Sequence, residues 1–146
     1  MQIASIVYEW AHVEGALTFL LSSAMGKVDR VGASTVQPDW ISHQVMETLE
    51  SLRTRLDVIS AVLVPHLTDD LLERWSGPLR DGNRLAGISR QVRKASMRRN
   101  IAVHSAWSVS DLFPSDLIRS ETDGTVSRYT ASDFAEIHQQ VLHAAG

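Results

Sequence analysis

The 146-residue chain has no cysteine. That absence removes zinc–thiolate sites, thiol nucleophiles and redox pairs from consideration. No apolar run approaches the length of a membrane span. There is no internal repeat and no low-complexity tract. The opening residues Met1-Gln2-Ile3-Ala4-Ser5 lack the basic leader of a secretory signal, so a cytoplasmic protein without a membrane role is expected. What remains is ordinary for a globular chain: 44% hydrophobic and 21% charged residues. A disordered tail, a collagen-like chain and a disulfide scaffold are thereby excluded. The length predicts one domain over 1–146, able to bury about 68–70% of its unfolded surface.

A net charge of −3 argues at first against a polyanionic partner. The charge is unevenly placed, however. Arg80, Arg84, Arg90, Arg93, Lys94, Arg98 and Arg99 face only Asp81 in their window, which is therefore +6, while the rest of the chain is −9. A strip of that density is a footprint for phosphates, and Arg90, Arg93, Lys94 and Arg98 are its candidate RNA-binding residues. The plainer alternative is a solvated helix face.

Periodicity predicts a mostly helical bundle of four to five helices, an all-α class with one short hairpin. The first helix runs from about Ile3 to Met25 on a seam of Ile3, Ile6, Val7, Trp10, Val13, Leu17, Leu20 and Leu21, with Gly26 ending it. Residues 27–38 read as a loop. A second helix starts near Asp39 and carries Ile41, Val45, Leu49, Leu52, Leu56, Ile59 and Leu63 as far as Pro65. Thr68 caps a short helix through Trp75, and another spans about Leu79 to Ala106. Asp123-Gly124 suits a type I′ turn in a hairpin near 117–129. Thr130 and Asp133 form a capping box before a last helix with Phe134, Ile137, Val141 and Leu142.

The stretch with chemistry in it is Arg98-Arg99-Asn100-Ile101-Ala102-Val103-His104. Arg99 falls on the apolar seam of its helix and so needs a partner, since a half-buried unpaired guanidinium costs several kcal/mol. Glu14, on the seam of the first helix, is the candidate. Asn100 and His104 lie about 40° apart on a helix, but Arg99 and His104 lie about 140° apart. Only a long arginine side chain, a distorted helix or a second copy of the chain can bring that pair to one substrate. Chemically the set suits phosphoryl transfer. Histidine moves protons near neutral pH, arginine holds a phosphate in its fork, and asparagine orients a partner.

Arg99-Asn100-Ile101-Ala102-Val103-His104 resembles the signature of HEPN domains: arginine, a polar residue, then histidine near the end of a helix. The first helix with Glu14, the long second helix, Trp107 after the histidine and the Tyr129-Thr130 start of the final helix look like small stand-alone bacterial members. Ser105 and Ala106 stand where many members have glycine and where modified members carry tyrosine. The resemblance implies a helical bundle that dimerises so that two motifs line one cleft. It also implies a metal-independent endoribonuclease without a cofactor, of the kind found as toxins in toxin–antitoxin or phage-defence systems. His104 would then move the proton of the RNA 2′-hydroxyl, Arg99 would hold the phosphate, and Asn100 would position one of them. Other members bind RNA or nucleotides, or a partner protein such as an antitoxin, without catalysis.

Other constellations are weaker. Glu9-x-x-His12 has the spacing of a di-metal bundle ligand pair, but no second copy exists. His138 and His143 are expected on exposed faces of the last helix. Trp10, Trp40, Trp75 and Trp107 are expected as core and interface anchors.

Overall fold

A computed structural model of the chain describes residues 2–26, 28–31, 35–77 and 87–145. It is mostly helical. Among the described residues there are six α-helices: α1 Gln2–Ala24, α2 Trp40–Thr48, α3 Leu52–Leu63, α4 Asp69–Ser76, α5 Ile88–His104 and α6 Ala131–Ala145. A 3-10 turn, Val64–His66, follows α3. The all-α expectation needs correction, because two antiparallel sheets are present. Strands β1 Val28–Val31 and β2 Thr35–Pro38 pair with each other, and β3 Trp107–Ser110, β4 Phe113–Ser120 and β5 Val126–Tyr129 form a sheet in the order β3-β4-β5. No helix among the described residues is long and apolar enough to cross a membrane. The chain divides into two compact units, one of residues 1–11 with 94–146 and one of residues 12–93, so each takes part of α1 and part of α5.

In the unit of residues 12–93, α1 buries Val13, Leu17 and Leu21. Gly26 ends the helix with φ +67°, a conformation that costs glycine nothing. The expected loop over 27–38 contains the β1–β2 hairpin, with Val31 opposite Thr35. Four-residue strands carry too little alternation to be read, and Pro38 looked like a breaker although it sits at a strand end. The expected single helix over 39–65 is two helices. Leu49 and Ser51 are extended, with ψ of 105° and 143°. Ser51 Oγ accepts the Thr54 N–H at 3.1 Å and starts α3, a local bond that competes with helix continuation. The break also shifts the buried face. In α2 it is Ser42 and Met46 that are buried, while Ile41 of the expected stripe is exposed; in α3, Leu56 and Ile59 are buried as expected.

Asp39 caps α2, its Oδ1 accepting the Ser42 N–H at 3.1 Å. Ser22 and Ser42 hydroxyls also donate to it, so three buried polar side chains satisfy one another. Thr68 precedes α4, but its hydroxyl makes no capping bond. Trp75 is buried and donates through Nε1 to Ser60 Oγ at 2.9 Å. Gly87 lies against the chain at 75–77: a Cβ there would be 2.5 Å from Gly77 N and 2.7 Å from Trp75 O. Helix α5 begins just after it. The expected segment 79–86, with Arg80, Arg84 and Leu85, lies outside the described residues.

The other unit is built around α5 and α6. Ala95, Ala102, Phe134, Ile137 and Val141 are buried. The hairpin expected near 117–129 is β4–β5, and β3 adds a strand that periodicity did not reveal. Its turn is not type I′, because only Gly124 has positive φ, at +86°. Gly124 N donates to Glu121 O at 3.1 Å and Glu121 N to Thr125 O at 2.9 Å, the pattern of a three-residue loop ending in a left-handed glycine. The capping box is formed: Thr130 N donates to Asp133 Oδ2 at 2.6 Å, and Asp133 N to Thr130 Oγ1 at 3.3 Å. Trp107 packs edge-on against Tyr129 at 5.1 Å and lies 5.2 Å from Phe134, and its Nε1 donates to Ala102 O at 3.1 Å. The sheet is thus fastened to the last turns of α5.

Candidate functional site

Those last turns carry Arg99, Asn100 and His104. The 140° between Arg99 and His104 is spanned by the arginine itself, whose Nη1 lies 3.1 Å from His104 Nε2 and donates to Asn100 Oδ1 at 3.0 Å. Reach of the side chain, one of the three routes open at the sequence level, is sufficient without a kink. A guanidinium can only donate, so the contact is a hydrogen bond in the tautomer that leaves the Nε2 lone pair free to accept. The Arg99 Cζ is 5.9 Å from the centre of the buried Trp10 ring, within cation–π range. Its Nε is buried without a hydrogen-bond partner among the described residues. Asn100 and His104 are exposed.

No carboxylate among the described residues pairs with Arg99. The expected Glu14–Arg99 pair is replaced by another: Glu14 Oε1 receives Arg55 Nη1 at 3.0 Å. Arg55 also donates through Nε to Leu49 O at 2.8 Å, closing the break between α2 and α3. Arg55 was not singled out from the sequence, because it precedes Leu56 of the apolar stripe by one residue and nothing local links it to Glu14.

The basic strip is partly spent. Arg93 pairs with Asp57 at 2.8 Å, and Arg98 reaches Glu136 at 3.3 Å and Gln140 at 3.4 Å. Arg90 and Lys94 are exposed, one turn apart on α5, and have no ion pair among the described residues. Of the candidate RNA contacts, these two are immediately available.

A recess of about 420 Å³ opens beside the site. Asn100 and His104 form one wall, and Arg119, Glu121 and Thr122 of the β4–β5 hairpin form another. Sequence reading missed Arg119, although the two-residue alternation that put Leu117 on a packed face also puts Arg119 there. A larger recess of about 670 Å³ lies over Leu117, Tyr129 and Phe134 and carries no carboxylate, imidazole or guanidinium. No cluster of three His, Asp or Glu side chains suited to a metal ion occurs among the described residues.

Two further expectations need adjusting. Trp40 is 71% exposed at the start of α2, so it is no core anchor. His138 is half-buried, its Nε2 without a hydrogen-bond partner among the described residues, because it follows the buried Ile137 on α6; His143 is exposed as expected. Asp133 titrates below its ordinary value, chiefly because the Thr130 N–H donates to it, then through the Thr130 hydroxyl. Asp123 does so through the Thr125 hydroxyl and N–H.

Comparison with known protein families, curated proteins and solved structures finds no match to the chain.

Proposed function

We propose that this chain is a HEPN-like, metal-independent endoribonuclease that works as a homodimer in the cytoplasm, the toxin of a toxin–antitoxin or phage-defence pair. The observation that carries the reading is the contact of Arg99 Nη1 with both His104 Nε2 and Asn100 Oδ1, at 3.1 and 3.0 Å, with no carboxylate among the described residues to neutralise the guanidinium. Charge held on an exposed face without a counter-ion attracts an anion. An RNA phosphate drawn to Arg99 would take its Nη1 away from His104. That frees the Nε2 lone pair to accept the proton of the neighbouring 2′-hydroxyl. The 2′-oxygen bonds to phosphorus, the P–O5′ bond breaks, and the 5′-oxygen leaves with a proton taken from solvent, while His104 returns its own to solvent. The products are a 2′,3′-cyclic phosphate and a 5′-hydroxyl. Arg99 stabilises the added charge on the phosphorane, and Asn100 fixes the guanidinium between its two tasks.

The test is cleavage of varied RNAs by purified protein in EDTA. Cyclic-phosphate products that vanish in His104→Ala support the reading. No cleavage of any RNA, or unchanged cleavage by His104→Ala, would falsify it. A second reading is favoured by Arg90 and Lys94, which are exposed on α5 with no ion pair among the described residues. In it the chain is a HEPN-like module that binds RNA, nucleotide or an acidic partner protein without reaction. It predicts salt-sensitive binding with no products.

A further inference from the structure

The recess beside His104 contains a guanidinium that is not Arg99. Arg119 lies on β4, the central strand of its sheet, opposite Trp107 on one side and Ser127 on the other. Strand alternation puts it on the same face as Leu117, whose partner Tyr129 stacks on Trp107. Arg119 therefore stands on the packed face of the sheet, its side chain 23% exposed. Such a cation needs an anion. Among the described residues its charged partner is Glu121, two residues along the chain. Both border the recess with Asn100 and His104. The recess also abuts the last turn of α5, where the negative end of the helix dipole repels anions. A phosphate entering there requires a fixed positive group, and Arg119 supplies it.

Resting on the ribonuclease reading, we infer that Arg119 holds a second phosphodiester of single-stranded RNA, next to the one at Arg99. Glu121 is the internal anion that this phosphate displaces. The recess has the volume of a small-ligand site, suited to one nucleotide of a flexible strand rather than to a duplex. Glu121 keeps the guanidinium extended and neutralised until a strand arrives, so an isolated weak anion competes poorly for it.

The experiment measures binding of a short single-stranded RNA with every 2′-hydroxyl methylated, which the protein cannot cleave, across a salt series. Cleavage of the unmodified strand is followed in parallel. Arg119→Ala is expected to weaken binding about tenfold and to lower the slope of log affinity against log salt by about 0.7. Glu121→Gln is expected to tighten binding severalfold, because it removes the competitor and keeps the cation. If Arg119→Ala does not fold, Glu121→Gln decides. Unchanged affinity and slope in the folded variants overturn the inference, even where the unmodified strand is still cut in a His104-dependent way. Binding that depends on Arg119 without any cleavage overturns the ribonuclease reading and leaves the inference standing. A nucleoside monophosphate that binds as tightly as the strand overturns the assignment to RNA.

Discussion

Arg55 and Arg99 are both half-buried arginines on helices, yet their surroundings are opposite. Arg55 spends its donors on the Glu14 carboxylate and the Leu49 carbonyl. Its charge is neutralised, and its removal strands a carboxylate and a chain break. Arg99 has an amide, an imidazole and the face of an indole as partners, and its Nε has none among the described residues. No carboxylate among the described residues cancels the charge. The first environment describes an arginine that holds the fold, and the second describes one held ready for an anion. Residue type and half-burial on a helix, which the two share, do not separate them; the nature of the acceptors does.

Exchanging the roles tests this contrast. The largest effect is expected at Arg99 and His104. Alanine at either should lower RNA cleavage by about 10²–10⁴-fold while the thermal midpoint moves little. Arg55→Ala should do the reverse, costing about 1–3 kcal/mol in urea unfolding while cleavage by the folded fraction is unchanged. If Arg99→Ala destabilises as much as Arg55→Ala, the contrast fails. Asn100→Asp puts a carboxylate beside the Arg99 guanidinium. Cleavage should fall, and stability should rise by up to about 1 kcal/mol. A double-mutant cycle on Glu14 and Arg55 should show coupling of about 0.5–1 kcal/mol, because both side chains are partly solvated. The smallest effect is at Asp133. Its carboxyl titrates lower in the folded chain than in the unfolded one, so its contribution is present above the ordinary carboxylate range and is lost as pH falls through the folded value. Asp133→Asn should therefore flatten the acid limb of the stability profile slightly, read by thermal melts across a pH series.

The long helices were legible because α1 and α5 repeat an apolar seam over several turns, and Thr130 with Asp133 marked the start of α6 in chemistry as well as in pattern. The β1–β2 hairpin and β3 were not, because four residues hold at most two alternations. The break between α2 and α3 was hidden by a stripe that continues in phase across it, Leu49 to Leu52, while the decisive bond is a Ser51 hydroxyl to one N–H. Arg99, Asn100 and His104 were found from their side-chain chemistry, yet spacing alone put two of them on different sides of the helix. The partner of Glu14 depended on a contact 41 residues away in sequence, which no local pattern encodes. Arg119 belongs to the same class, since only the strand pairing puts it near α5.

Helix ends are ordinarily the first places to open in a folded chain. At the end of α5, the indole of Trp107 is bonded to the Ala102 carbonyl and wedged between Tyr129 and Phe134. Opening the turn that carries His104 therefore means pulling an aromatic ring out of a packed cluster. Amide hydrogen exchange over 101–105 should consequently follow the slow, cooperative opening of the sheet rather than the rapid fraying of a free terminus, and Trp107→Phe should decouple the two.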